Sequence, residues 1–259
     1  MLIGCTAETN ELDLVANAGY DYVELGAKNV RQLDQRGRAD LARQLEKLRL
    51  PCLYFNRYCP PEVIIAGPGF DEKNVGQYAR DCLSAALTLG VQGVGIGSPL
   101  SRRLPAGFDP RLALKQFRSF LRVTTDILGQ KDITVCVEAL GLCYCNCVNY
   151  VEEAAALARE LDSPHLGLVI DFYNMEFNGE GDLDLTGYLP LIRHAHISDD
   201  QGRPDQRAPL IKERRHIHLR RLRRLKEAGY DISVSLEVDL PVVLETAKEN
   251  LRFLREACG

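Results

Sequence analysis

AGYDYVEL, residues 18–25, returns as AGYDISVSLEV at residues 228–238. In both copies a helical pattern stops at a glycine, which can enter the left-handed conformation without a Cβ penalty, and a β-branched run follows at once. The unit is therefore helix, tight turn, strand. Gly90 with Val91 makes the same junction in the middle of the chain. One αβ module used near both ends and between them suggests that the whole chain is built from it.

Working outward, short aliphatic runs recur as LIGC (2–5), DYVEL (21–25), PCLYFNR (51–57), QGVGIGS (92–98), ITVCVEA (133–139), LGLVIDF (166–172), LIRHAHIS (191–198) and ISVSLEV (232–238). Between them lie segments such as ADLARQLEKL, VGQYARDCLSAALTL, LALKQFRSFLRVTTDIL and VEEAAALAREL, whose apolar residues recur at helical spacing. Strands alternating with helices predict a parallel sheet. Eight such strands are the number that closes a (β/α)8 TIM barrel, and 259 residues suit that fold. No Pro- or Ser-rich linker or low-complexity tract divides the sequence, so residues 1–259 are expected to form one barrel domain.

The composition, 46% hydrophobic and 26% charged, is that of an ordinary globular protein. A net charge of −4 supplies no field that would draw nucleic acid or an anionic membrane, so neither is expected as a partner. No segment approaches the about 20 apolar residues a membrane span requires, and MLIGCTAETNELDLV at the start lacks a signal peptide's basic region. Nine cysteines, spread through strands, helices and a loop rather than forming a disulfide framework, point to a reducing cytoplasm. A homo-oligomer is compatible with all of this. The run Cys143, Cys145, Cys147 lacks the spacing of a soft-metal site and reads as loop thiols. The basic stretch KERRHIHLRRLRRLK (212–226), which includes His216 and His218, reads as a solvated helix face. His165 precedes a strand and belongs at the bottom of the barrel. Gly93, Gly95 and Gly97 lack the spacing of a dinucleotide-binding turn and read as a glycine-rich strand.

Four expected strands carry a polar residue at or near the carboxyl end: Glu138, Asp171, His196 and Glu237. In a barrel all four converge at the top. Three carboxylates brought together repel one another unless a cation neutralises them, so a divalent metal is the natural occupant. Three oxygen donors and one imidazole suit Mn²⁺ first, with Mg²⁺, Co²⁺ and Zn²⁺ also compatible. His194, two residues before His196, faces the interior and reads as a packing or hydrogen-bonding partner. Glu24 near the end of strand two reads either as a ligand for substrate hydroxyls or as a buried, hydrogen-bonded carboxylate. Asn146, Asn149 and Arg203 fall in loops expected over the pocket, where recognition of a polyol needs donors.

The segments VEALGLCYCNCVNYVEEA (137–154), LVIDFYNMEFNGEGDL (168–183) and RHAHISDDQGRP (193–204), followed by VSLEV (234–238), resemble the xylose-isomerase-like barrel superfamily. Within it they look like the sugar phosphate isomerase/epimerase group, which includes ketose 3-epimerases, hydroxypyruvate isomerase and inosose dehydratase. The resemblance implies that Glu138, Asp171, His196 and Glu237 hold one metal ion and that Glu138 and Glu237 act as an acid/base pair. It further implies isomerisation or epimerisation of a small sugar, keto-sugar or cyclitol through an enediolate. A metal-dependent lyase, either a dehydratase or a sugar-bond-cleaving enzyme, would use the same scaffold, and a metal-free accessory subunit is a further alternative. Apurinic endonucleases share the barrel too, but they use a His-rich trinuclear zinc cluster, and this chain has five histidines in all. Two positions depart from the group. Asn174 stands where ketose epimerases carry His, and the arginine expected after strand seven lies one position later, as Arg203, followed by DQRAPLIKERR (205–215) in place of a Gly-rich segment.

Overall fold

A computed structural model describes residues 1–203 and 205–259. Seven strands alternate with helices from the start: β1 Leu2–Ala7, β2 Tyr22–Gly26, β3 Cys52–Asn56, β4 Gly93–Ile96, β5 Thr134–Glu138, β6 Leu166–Asp171 and β7 Ile192–Ile197. A short antiparallel pair, β8 Asp199–Asp200 and β9 Arg207–Ala208, then precedes the last barrel strand, β10 Ser233–Leu236. The eight barrel strands close in the order β1-β10-β7-β6-β5-β4-β3-β2. Closure is a parallel pairing of β1 with β10, from Leu2 opposite Ser233 to Cys5 opposite Leu236. The two copies of the AGYD unit thus feed the strands on either side of β1. The fold is the expected (β/α)8 TIM barrel.

The helices are α1 Leu12–Ala18, α2 Ala27–Gln32, α3 Gln35–Leu48, α4 Glu72–Leu89, α5 Pro110–Leu128, α6 Val151–Leu161, α7 Phe172–Phe177, α8 Arg215–Glu227 and α9 Leu244–Cys258. Gly19 ends α1 at φ 95° and Gly90 ends α4 at φ 73°, the left-handed values that the sequence calls for at these junctions. Periodicity missed α2 and α7, which are one or two turns long and follow their strands directly. Among the described residues, no helix is long and apolar enough to cross a membrane.

Side chains fill the barrel. Gly4 exists to admit the Tyr22 ring, since a Cβ there would lie 2.2 Å from a ring carbon. Tyr54 stacks on His194 with ring centroids 4.0 Å apart. Hydrogen bonds satisfy the polar tips: Tyr22 Oη with Ser235 Oγ at 2.9 Å, Ser233 Oγ to Tyr54 Oη at 2.9 Å, and His194 Nδ1 with Ser233 Oγ at 2.8 Å. Burying such groups is tolerated because each finds a partner. This layer is the floor of the site above it.

The basic stretch departs from the solvated face that the sequence suggests. His218, Arg221, Leu222 and Leu225 of α8 are buried. Buried Asp199 accepts hydrogen bonds from Arg214 Nε at 2.7 Å, Ile211 N at 2.9 Å and His218 Nε2 at 3.0 Å. Glu176 receives Arg221 Nη1 at 2.9 Å as well as Arg214. Burial raises the Asp199 pKa, but these donors, His218 first, outweigh it and hold the carboxyl below its ordinary range. Part of the positive charge is therefore spent docking α8 against acids on β8 and α7, and a count of lysines and arginines in one segment cannot reveal partners so distant in sequence.

Candidate metal centre

The barrel delivers four side chains to one point. Glu138 is the last residue of β5, Asp171 the last of β6, His196 lies on β7 opposite Asp171, and Glu237 follows β10 directly. Glu237 N donates to Ile197 O at 3.0 Å, which carries the ladder one residue past the strand. One donor atom from each of the four lies within 4.8 Å of the others, and all four residues are buried.

Neighbouring groups fix each of them. The Asp171 carboxylate caps α7, accepting from Tyr173 N at 2.8 Å. Asn174 Nδ2 donates to Glu138 Oε1 and to Asp171 Oδ2, both at 2.8 Å, while its Oδ1 accepts from Gly141 N at 3.1 Å. Asn174 is thus the bracket between two of the carboxylates. Glu24 is fully buried beneath the site, 3.0 Å from His194 Nε2 and 3.1 Å from His196 Nε2. Burial works to raise its pKa, but the imidazoles of His196 and His194 hold it well below the usual carboxylate range. An ionised Glu24 orients His196 with Nδ1 turned toward Glu237, 3.2 Å from its Oε2. Burial, then the nearby Glu237 and Asp171, push Glu138 well above its ordinary pKa.

Arg207 on β9 completes the cluster, and the sequence reading did not single it out. Its guanidinium donates to Asp171 Oδ2 at 2.5 Å and to Ser198 Oγ at 3.2 Å, and lies 3.2 Å from Glu237 and 3.7 Å from Glu138. The ring of Tyr173 lies 4.7 Å beneath it. The Arg207 main chain is held at both ends by Asp239, whose Oδ2 accepts from Arg207 N at 2.9 Å and whose N donates to Arg207 O at 3.1 Å.

The structure brings the other expected substrate contacts elsewhere. Arg203 is 66% exposed and paired with Asp205 at 3.2 Å, and its main-chain oxygen accepts from Tyr173 Oη at 3.5 Å. Asn146 pairs with the Leu104 main chain, accepting from N at 2.8 Å and donating to O at 3.1 Å. Asn149 Nδ2 donates to Leu140 O at 2.7 Å and Cys145 O at 3.0 Å. Both asparagines shape the loop after β5. Of its three cysteines, Cys143 is exposed while Cys145 and Cys147 are buried.

Above the carboxylates opens a cavity of about 240 Å³, lined by Glu138, Glu237, Arg207 and Tyr144 and, from the ends of β2 and β3, by Lys28 and Asn56. The family described as the xylose isomerase-like TIM barrel matches residues 12–257. The chain belongs to that family. Among solved structures of the same fold, D-psicose 3-epimerase in the presence of D-fructose superposes with a TM-score of 0.82 over 100% of both chains at 14% identity. The 3-keto-D-glucoside 4-epimerase of E. coli, in its apo form, gives 0.76 over 99% of both chains at 18% identity. An AP endonuclease, family 2, from Brucella melitensis gives 0.73 over 99% of both chains at 21% identity. A comparison with curated proteins finds no match. Identities this low establish the barrel and leave the reaction to be argued from the xylose isomerase-like site itself.

Two features of that site fit a cation. His196 Nδ1 and Glu237 Oε2 are buried and face each other at 3.2 Å, where one ion could take a donor atom from each. As ligands His196 would be neutral and the carboxylates ionised, and three carboxylates against the single Arg207 guanidinium then leave a net negative charge for a divalent ion to neutralise.

Proposed function

We propose that this chain is a divalent-metal-dependent isomerase or epimerase of a small sugar, keto-sugar or cyclitol. The observation that carries the reading is the convergence of four buried donor atoms within 4.8 Å at the base of a cavity open to solvent. Glu138, Asp171, His196 and Glu237 would hold the ion, with Mn²⁺ favoured by three oxygens and one nitrogen and Mg²⁺, Co²⁺ or Zn²⁺ compatible. When bound there, it would polarise a substrate carbonyl and stabilise the charge that develops beside it.

The chain supplies the proton transfers. Glu138 and Glu237 come from β5 and from the end of β10, well separated around the barrel, and so can address different faces of a substrate between them. One removes the proton next to the carbonyl. Return by the other to the opposite face gives an epimer, and return to the neighbouring carbon gives an aldose–ketose isomer. Asn174 keeps Glu138 and Asp171 apart and oriented, Glu24 does so for His196, and the Arg207 guanidinium braces Asp171 and Glu237. The cavity is smaller than the roughly 300–1,000 Å³ of pockets for drug-sized ligands, which suits a small polyol rather than a polymer. We place the protein in a reducing cytoplasm, where buried thiols such as Cys5, Cys52 and Cys136 stay reduced.

A panel of keto-sugars and cyclitols in deuterated water with Mn²⁺, followed by proton NMR, tests this reading. Loss of one C–H signal beside the carbonyl, with growth of an epimer or isomer, is the expected result. Appearance of a dehydrated or cleaved product would move the assignment to a lyase.

Gly97 offers a second check. A Cβ at this position would lie 2.7 Å from Glu138 Oε2. Asn174 holds the other oxygen, so the carboxylate has to turn. Gly97→Ala is expected to keep its circular-dichroism spectrum and melting temperature while turnover falls by about 10²-fold, the scale of an ångström-level misplacement. Unchanged turnover would show that the orientation of Glu138 is immaterial.

A further inference from the structure

Three cationic side chains line the cavity, and their partners differ. Arg57 is committed to Glu8 at 2.9 Å and to Asp239 at 3.1 Å. Arg207 is committed to Asp171 and Glu237. Lys28, half-buried two residues beyond β2, faces the same cavity and has no carboxylate partner among the described residues. Asn56, the last residue of β3 and in register with Gly26 two residues before Lys28, lines the same cavity, is 4% exposed, and its Nδ2 has no hydrogen-bond partner among the described residues. A buried amide donor without an acceptor is unfavourable, and native structures rarely keep one unless something else occupies it.

These two observations are independent, one a buried orphan donor and the other a charge with no carboxylate partner among the described residues, and both residues line the cavity that Glu138 and Glu237 also line. A neutral sugar would bring hydroxyls, each both donor and acceptor. An ammonium and an amide N–H together call instead for a group that only accepts and carries charge. One free cation matches one negative charge. A phosphate dianion would bring a second charge, for which this cavity holds no second uncommitted cation among the described residues.

We infer that the substrate is a small keto-sugar acid whose carboxylate, remote from the reacting carbon, is received by Lys28 Nζ and Asn56 Nδ2. This rests on the isomerase/epimerase reading above and narrows its substrate class. The division of labour follows from the barrel: the tops of β5, β6, β7 and β10 carry the chemistry, and the tops of β2 and β3 select the substrate.

The probes are D-fructuronate, D-fructose and D-fructose 6-phosphate, titrated calorimetrically into the Mn²⁺-loaded protein, its Lys28→Met variant and its Lys28→Arg variant. Fructuronate should bind about 10- to 100-fold more tightly than fructose, the range for a hydrogen bond to a charged group. Lys28→Met should erase that preference, and Lys28→Arg should keep most of it. Lys28 is half-exposed, so folding is not at stake, and a melting curve for each variant checks it. Equal binding of fructuronate and fructose, a preference that survives Lys28→Met, or tighter binding of fructose 6-phosphate than of fructuronate would each overturn the inference. Proton exchange of each sugar in deuterated water separates the two readings. A Lys28-dependent preference without exchange sinks the isomerase reading and leaves the subsite standing. Exchange without the preference does the reverse.

Discussion

Treatment with EDTA is expected to abolish turnover, and Mn²⁺ or Co²⁺ to restore it. Glu138, Asp171 and Glu237 are buried within reach of one another, and among the described residues the Arg207 guanidinium is the only arginine or lysine group within 4.0 Å of their carboxylate oxygens. Like charges this close in a medium of low dielectric are costly, and pairing with one cation leaves part of the repulsion in place. A divalent ion held by the three carboxylates and His196 Nδ1 removes it. Because such an ion binds the folded state, it should also raise the melting temperature, by an amount equivalent to about 2.7 kcal/mol when present at 100 times its Kd. Full activity in a rigorously metal-free preparation, with a melting curve indifferent to Mn²⁺, would remove the basis of the proposal.

Glu138→Gln and Glu237→Gln should each slow turnover by about 10²- to 10⁴-fold, the usual contribution of a positioned acid or base, while lowering metal occupancy far less. Glutamine keeps an oxygen that can still ligate. It loses the charge and the basic lone pair. In an epimerase the two variants should fail in complementary ways: each should lose exchange of the substrate C–H with solvent deuterium chiefly for the epimer whose proton faces the altered side chain. Near-normal turnover in both, with metal retained, would reduce the two glutamates to ligands.

The barrel could be read from the sequence because its signals are local. A strand, its following helix and the glycine between them occupy about 30 residues, and closure follows once eight copies are counted. The four strand-end residues were legible for the same reason, since position along a strand fixes height in the barrel. Arg207 was not, because β8 and β9 are two residues each and their pairing depends on Asp239, some thirty residues further along. Arg203 stands out by its place in the resemblance and Arg207 by no motif; the structure pairs the first with Asp205 and the second with Asp171 and Glu237. His218 and Arg221 likewise read as solvent-facing until Asp199 and Glu176 were seen across from them. Lys28 and Asn56 carry no motif at all, and only the shared cavity relates them.

The thiols add a practical handle. Eight of the nine cysteines are buried and Cys143 is exposed, next to Tyr144 on the wall of the cavity. An uncharged alkylating reagent added to the folded protein therefore meets one exposed thiol, next in sequence to a residue that lines the cavity. Partial burial raises the Cys143 pKa, so the reaction should be run at alkaline pH, where thiolate is plentiful. A fluorophore installed there without any engineered cysteine would report the filling of the cavity in real time, before the product of the reaction is known.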